Sequence, residues 1–499
     1  MPSIRRNVFA NIGGNAAVAL LSFIFIPVYV RVLGIEAYGL IGFFLSIQVV
    51  FSLLDLGLGA AITRELARVS GDPSEKLTAR QIIRTAEIVY WLVGVLIGVL
   101  TVFLVPPLAL KWISLDNLSP EQAKQGLALM GIAFAARWPF TLYAGALVGL
   151  DRQPLLNVLR VCAEATRSAG AAAVLLLVSP TLSAFLSWQI GTSLLSSVAA
   201  AWITWKTLPA SASSATFDLL QLRRIHRYMI GVSGISVTAV VLTQADKIIL
   251  SRLVSLEDFG YYMLAWAVAN SLNGLSAPVF AAYFPSLSRA VAVRDEGALR
   301  NLYHRGSQVV SGMLIPVAVT LSFFSQEALA LWTHDAVLAE KTHIALTVLT
   351  FGTIFHGLMQ IPYALMLAHG WTSLPFYANL VAIIALVPLV SVLAQVWGAI
   401  GAATAWVALN VGHVVLTQQV LHRRLLPAEK SLWLIDDSFK PLIICCVIAG
   451  AARLLFNNMT MTQFSIAGSA TLAICFVACV WSLPHLRSGF LSFARRFVS

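Results

Sequence analysis

Asn157, Arg160, Glu164 and Arg167 interrupt an otherwise apolar stretch at spacings of three, four and three. At 3.6 residues per turn, that spacing puts all four on one face of a helix. A guanidinium is a planar fork of donors that matches the paired oxygens of a phosphate or carboxylate. Glu164 can pair with Arg160 or with Arg167, which leaves one cation over. Arg137 lies in the preceding apolar stretch, two residues before Pro139, and Lys247 follows Asp246 in a later one. Arg137, Arg160, Arg167 and Lys247 therefore form the expected anion-binding set, suited to a phosphate. Glu164, Asp246 and Asp55 are coupling or ion-pair candidates, because a carboxylate shielded from water can carry a proton or hold Na⁺. Asn157, Gln244, Asn270, Asn273, His356 and Gln360 are the expected uncharged lining of a cavity, although such groups also make hydrogen bonds between helices.

No catalytic constellation or metal site emerges from the same survey. Cys162, Cys445, Cys446, Cys475 and Cys479 all fall in apolar runs without a C-x-x-C spacing, and read as small core residues. No Walker A motif is present, so no ATPase is built into the chain. No cofactor is expected beyond H⁺ or Na⁺ as a coupling ion.

The elements that must position these residues are membrane helices. Apolar residues make up 59% of the 499 residues and charged ones 11%, with a mean hydropathy of +0.83. A soluble fold has about twice that share of charge. An ordinary soluble enzyme, a disordered chain and a disulfide scaffold are all excluded on this ground. Fourteen apolar runs qualify as spans, at 12–30, 39–62, 87–109, 126–149, 155–178, 183–205, 229–251, 261–284, 308–331, 343–367, 374–394, 398–420, 441–456 and 463–483. The first follows Arg5 and Arg6 and reads as an uncleaved helix.

The net charge of +11 is explained by topology and not by nucleic acid. With the N-terminus placed in the cytoplasm, most of the 33 Lys and Arg residues fall on that side, among them Arg64, Arg68, Arg80, Arg84, Arg300, Arg305, Arg423 and Arg424. The opposite side holds only Arg31, Lys111, Lys124, Arg252, Lys341 and Arg453. Both termini of a multi-pass membrane protein are thus expected in the cytoplasm. The loops are too short for a soluble domain. Trp112, Trp332, Trp397 and Trp433 fall near span ends, as interface anchors do.

The chain also repeats itself. Arg31-Val-Leu-Gly-Ile-Glu-Ala-Tyr-Gly-Leu40 can be laid on Arg252-Leu-Val-Ser-Leu-Glu-Asp-Phe-Gly-Tyr261, each just after the first span of a six-span block. Six is even, so the two blocks share a topology and relate by an axis along the membrane normal. The expectation is an all-α polytopic membrane protein with about 14 transmembrane helices in two pseudo-symmetric six-helix lobes. The lobes are 1–210 and 211–426, with a C-terminal helix pair at 427–499. The polar Ser211–Ser214 stretch reads as the linker. Two such lobes suit alternating access to a central cleft.

Several runs resemble landmarks of one family. Pro27-Val-Tyr-Val-Arg-Val-Leu-Gly-Ile-Glu-Ala-Tyr-Gly-Leu40 with Leu54-Asp-Leu-Gly-Leu-Gly59 resembles the start of polysaccharide-type flippases of the Wzx kind. Gln244-Ala-Asp-Lys-Ile-Ile-Leu-Ser-Arg252 resembles the start of their second half. Phe284-Pro-Ser-Leu-Ser-Arg289, Ile361-Pro-Tyr-Ala-Leu365 and Trp397-Gly-Ala-Ile-Gly-Ala-Ala403 resemble later landmarks. The resemblance implies a superfamily that also holds multidrug exporters and lipid II flippases. It implies a V-shaped cavity between lobes and a substrate of undecaprenyl-diphosphate-linked oligosaccharide, moved from the cytoplasmic to the periplasmic leaflet. A polysaccharide polymerase and chain-length machinery are the implied partners, besides membrane lipids. Only Asp55, Asp246 and the Arg252–Gly260 segment sit on matched motifs; the arginines are nominated by their chemistry. A cation-coupled multidrug exporter is the first alternative, and a membrane glycosyltransferase or ligase the second. The short loops argue against an enzyme, and the excess of cations against a carrier of cationic drugs.

Overall fold

A computed structural model describes residues 2–55, 57–69, 75–210, 214–218, 237–456 and 461–488. The side chains of Arg5 and Arg6 and most of the Ser211–Ser214 linker lie outside the described residues. The regular elements are helical, and the β-pairing among described residues is one isolated bridge between Ser114 and Ser255. The first elements are α1 (Pro2–Ile24), α2 (Ile26–Leu33), α3 (Ile35–Phe51), α4 (Leu58–Val69), α5 (Lys76–Trp112), α6 (Pro120–Gly149), α7 (Gln153–Leu177), α8 (Leu182–Thr207) and α9 (237–253). They are followed by α10 (Leu256–Ser271), α11 (Asn273–Ala292), α12 (Glu296–Phe323), α13 (Ser325–Thr333), α14 (Ala336–Leu358), α15 (Gln360–Ala368), α16 (Ser373–Gly412) and α17 (Gln418–Arg424). The single turn α18 (Lys430–Leu432), then α19 (Lys440–Leu455) and α20 (Met461–Ser482) complete the chain.

Each apolar run falls on helical segments wherever it is described, and among the described residues eight helical stretches are long and apolar enough to cross a bilayer. The fold is an all-α polytopic membrane protein. Outward-facing apolar residues agree with this. On α5, Leu92, Val95, Leu96, Val99 and Phe103 are all exposed, a stripe at helical spacing that lipid covers and water would not.

Several runs expected as single helices are broken. The 39–62 run turns at a 3₁₀ segment, Ser52–Asp55, and at Gly57, whose φ of 76° lies in the left-handed region. Asp55 ends the segment by accepting from the Gly59 amide and from the Tyr90 hydroxyl of α5, so it closes a turn. The 261–284 run breaks between Ser271 and Asn273. Runs eleven and twelve are joined in α16 across a kink at Gly398, with φ 55° and ψ −131°.

The chain divides into two compact units, Met1–Gly260 and Tyr261–Ser499. In the first, Leu40, Ile62, Ile83, Leu127, Leu142, Tyr143 and Leu147 are fully buried. In the second, Leu314, Ile315, Val319, Ile361, Leu365, Cys445, Cys475 and Cys479 form the core. The cysteines are free; Cys162 is exposed on α7, contrary to the expectation of a core residue. Trp433 also departs from expectation. It is fully buried with its ring against His422, and is not an interface anchor like the exposed Trp112 and Trp397.

The repeated segment marks a close crossing inside the first unit. A Cβ on Gly39 would stand 2.4 Å from the Leu256 carbonyl oxygen, and one on Gly260 would stand 2.3 Å from the Ile35 carbonyl oxygen. Gly39 aligns with Gly260, and Ile35 with Leu256. Each copy thus fills the other's gap reciprocally. Glu36, 5% exposed, caps the chain beside it by accepting from the amides of Asp116, Asn117 and Leu118 at 2.8–2.9 Å. Arg252 donates to the carbonyls of Lys111 and Trp112 at 3.0 Å, closing the end of α5.

Candidate functional site

The arginines of the 3–4–3 pattern open onto a polar cavity of about 360 Å³ within the first unit. Four helices wall it: Asn15 and Val18 of α1, Arg137, Phe140 and Thr141 of α6, Arg160, Ala163, Glu164 and Arg167 of α7, and Thr192, Ser193 and Ser196 of α8. The residues expected on one face of a helix do share it, and Arg137 meets them from α6.

Packing holds the walls in place. Gly14 of α1 lies so close to α7 that a Cβ there would reach within 2.7 Å of the Asn157 amide oxygen. Gly170 admits the Trp188 ring, which a Cβ would approach to 2.3 Å, and the Trp188 indole donates to the Thr166 carbonyl at 3.1 Å. Ser197 donates to the Ala136 carbonyl at 2.7 Å and pins α8 to α6 one residue from Arg137.

The electrostatics of the cavity are uneven. Glu164, 4% exposed, accepts from Arg167 Nη2 at 2.6 Å on each of its two oxygens and from Arg167 Nε at 3.1 Å. Ser22 and Ser168 donate to the same carboxylate at 2.7 and 2.8 Å. Those donors occupy both oxygens of the carboxylate. The alternative left open by spacing is resolved: Glu164 pairs with Arg167 and not with Arg160. Arg167 also reaches Gln189 at 3.4 Å. Arg137 is exposed to the cavity and Arg160 half-exposed, and neither has a carboxylate partner among the described residues. Three guanidiniums against one carboxylate leave two positive charges in excess.

The rest of the expected set is elsewhere. Lys247 and Asp246 are both 2% exposed, with Lys247 Nζ 3.2 Å from the two Asp246 oxygens and 2.8 Å from the Thr243 carbonyl. Neither lines the cavity, which is lined by three of the four expected cations. Adjacent on one helix turn, the two form a buried ion pair away from it. Gln244 is buried beside them and donates to Thr243 at 3.4 Å. Asn157 donates to Asn11 at 2.6 Å and to the Gln153 carbonyl, clamping α7 to α1 outside the cavity wall. Asn270 and Asn273 flank the break between α10 and α11, with Asn273 donating to Asn270 at 3.1 Å. His356 packs its ring on Trp406 at 5.8 Å, and Gln360 opens α15 after the break at Met359. Both belong to the second unit.

Sequence reasoning missed the hydroxyl wall of Thr141, Thr192, Ser193 and Ser196, and the two serines that hold Glu164. Ser168 carried a signal, since it sits one turn beyond Glu164 and extends the 3–4–3 face. Ser22 did not, because nothing in the order of residues ties α1 to α7.

Residues 4–291 match the family described as polysaccharide biosynthesis protein, and residues 233–392 match MatE. A protein of Shigella flexneri named "Putative O-antigen transporter" is 20% identical over 404 residues, covering 81% of this chain and 94% of its own. Among solved structures, the lipid II flippase MurJ in an inward closed conformation is similar at a TM-score of 0.72 and 14% identity, over 99% of each chain. A multidrug resistance MATE family transporter of the MOP superfamily, in an inward-facing conformation, has a TM-score of 0.66 at 13% identity, over 82% of this chain and 95% of its own. With more than half of its length matched, in keeping with its Wzx-like motifs, the chain belongs to the polysaccharide biosynthesis protein family and shares the fold of MurJ and the MATE transporters.

Proposed function

We propose that the protein is a flippase that carries lipid-linked oligosaccharide across the bacterial inner membrane, from the cytoplasmic to the periplasmic leaflet, and that it breaks no bond in its substrate. The family and the fold are those of transporters and not of enzymes. One observation carries the assignment of the site: Arg137 and Arg160 face a hydroxyl-lined cavity without a carboxylate partner among the described residues, while Glu164 is already engaged by Arg167. An undecaprenyl diphosphate supplies the missing negative charge, and the serine and threonine hydroxyls suit the first sugars. The prenyl tail stays in lipid, since burying about fifty carbons in this polar hollow has no apolar surface to meet.

The two lobes expected from the repeat would alternate access to the head group, with both termini cytoplasmic. A MATE transporter of this fold is known in inward- and outward-facing conformations, which supports such a cycle. H⁺ or Na⁺ is the proposed coupling ion. Glu164 is the preferred coupling carboxylate, because only it shares a cavity with the proposed phosphate ligands: protonating it would release Arg167 to the diphosphate. The glycan belongs to O-antigen, capsule or exopolysaccharide, and a polymerase with its chain-length machinery would receive it.

The test is reconstitution into liposomes with a defined undecaprenyl-diphosphate glycolipid. Arg137→Ala and Arg160→Ala should each slow flipping by about ten- to a hundredfold, the value of one charge-assisted hydrogen bond of about 1.5–3 kcal/mol. Lysine at either position should restore part of the rate. Undiminished flipping in both alanine variants removes the head-group role. Export of a cationic dye by the wild type, unaffected by the glycolipid, would favour the multidrug reading that the MatE match keeps in view.

A further inference from the structure

A second polar cluster is buried in the unit Tyr261–Ser499, on elements that contribute nothing to the arginine cavity. His304 of α12 has a carboxylate at each ring nitrogen: Nδ1 lies 2.5 Å from Asp437 Oδ2, and Nε2 lies 3.1 Å from Glu429 Oε2. His304 and Glu429 are less than a tenth exposed, and Asp437 is 1% exposed. Gln308 donates to the other Asp437 oxygen at 2.8 Å, and Ser311 donates to the Asp437 carbonyl. The second oxygen of Glu429 stands 3.5 Å from Arg300 Nε. His422 of α17 lies behind the cluster, 3.2 Å from the Tyr303 hydroxyl, with its Nδ1 on the Gln418 carbonyl. From the C-terminal end, the His485 amide donates to Gln308 Oε1 at 2.8 Å. Among the described residues, the charged and titratable groups around His304 are therefore Asp437, Glu429, Arg300, Tyr303, Arg305, His422, Lys430 and His485.

A neutral imidazole has one N–H and one lone pair. Between two carboxylates, its lone pair would face an anion in a site shielded from water, an opposition with no hydrogen bond to relieve it. Adding one proton resolves this, because the imidazolium donates at both nitrogens. Asp437 belongs to the Trp433–Phe439 segment, which is π-helical and leads into α19. A π turn is an uncommon widening that tends to mark functional positions. The cluster is what ties that turn, through Asp437, to α12.

We propose that His304, Asp437 and Glu429 form a proton-binding site whose occupancy fastens the Trp433–Phe439 segment, and with it α19, to α12. When the proton leaves for water past the half-exposed Arg300, the segment loosens. Only an N–H bond is made or broken. The site is separate from the arginine cavity and does not depend on how that cavity is read.

Hydrogen exchange of the full-length protein in nanodiscs, followed in peptides spanning 430–440, tests the idea. After correction for the intrinsic rate, protection should fall by about tenfold or more as the pH is raised from neutral into the alkaline range, where a histidine held between two carboxylates gives up its proton. Protection comes from the charged form, so it is present at low pH and lost as pH rises. His304→Gln can donate to only one carboxylate, and should show low protection with a flat pH profile. Asp437→Asn removes one of the two anions that hold the proton, and should move the transition to lower pH. Protection in the wild type that ignores pH, a profile that persists in His304→Gln, or an unmoved transition in Asp437→Asn would each overturn the site. Should His304→Gln fail to fold, the Asp437→Asn shift alone decides.

Discussion

Charge at single residues separates a site from a scaffold in this protein. Lys247 beside Asp246 and Arg167 beside Glu164 are both ion pairs, but they differ in surroundings. The first is sealed in the first unit's interior, and the second edges a cavity where two further guanidiniums stand without carboxylates. Removing the charge of Glu164 should therefore strengthen anion binding. In Glu164→Gln, inorganic pyrophosphate should raise the melting temperature more than in the wild type, and in Arg137→Ala or Arg160→Ala less. The differences should correspond to about ten- to a hundredfold in affinity. Thermal unfolding in detergent at rising pyrophosphate measures this. The effect should shrink as salt screens the cavity, since Arg137 is open to solvent. A Glu164→Gln protein that binds pyrophosphate no better than the wild type would show that Glu164 does not set the cavity's charge.

At the scale of elements, small residues decide which helices can touch. Gly39 and Gly260 each meet a backbone carbonyl at a distance no Cβ tolerates, and a carbonyl within a helix cannot step aside as a side chain can. Gly39→Ala and Gly260→Ala should each cost about 1–3 kcal/mol, as overpacking does. Gly13→Ala meets open space and should cost nothing measurable. Detergent half-lives at a fixed temperature rank the three. Since Gly39 and Gly260 approach each other, the double variant should cost less or more than the sum, and additivity would argue against a shared crossing. The helix breaks act at the same scale. Asp55 and Gly57 turn what composition alone presents as one span into two helices that meet α5 through Tyr90.

At the scale of the whole molecule, the distribution of lysine and arginine would place both termini in the cytoplasm. A fluorescent protein fused after Ser499 should fluoresce, and alkaline phosphatase fused there should be inactive, as for a cytoplasmic C-terminus. Phosphatase fused in the loop holding Lys111 and Lys124 should be active. The opposite pattern in either fusion would invert the proposed direction of transport. The apolar stripe along α5 and the exposed Leu454, Ile384 and Leu177 give the molecule its lipid-facing surface, whichever way it is oriented.

The helical membrane fold was legible in the chain because lipid offers the backbone no hydrogen-bond partner, so long apolar runs have no alternative to helix. The face shared by Arg160, Glu164 and Arg167 was legible too, because helical periodicity places residues on a face without reference to any other element. The alignment of Gly39 with Gly260 was likewise visible before their contact was. Partnership was not legible. The choice of Arg167 over Arg160 by Glu164, the hydroxyls of Ser22 and α8, and the sealing of Lys247 with Asp246 all depend on which helices pack together. So does the enclosure of His304 by two carboxylates more than a hundred residues away in the chain. Periodicity within one helix sets where a side chain can point, and only the packing of helices decides what it meets there.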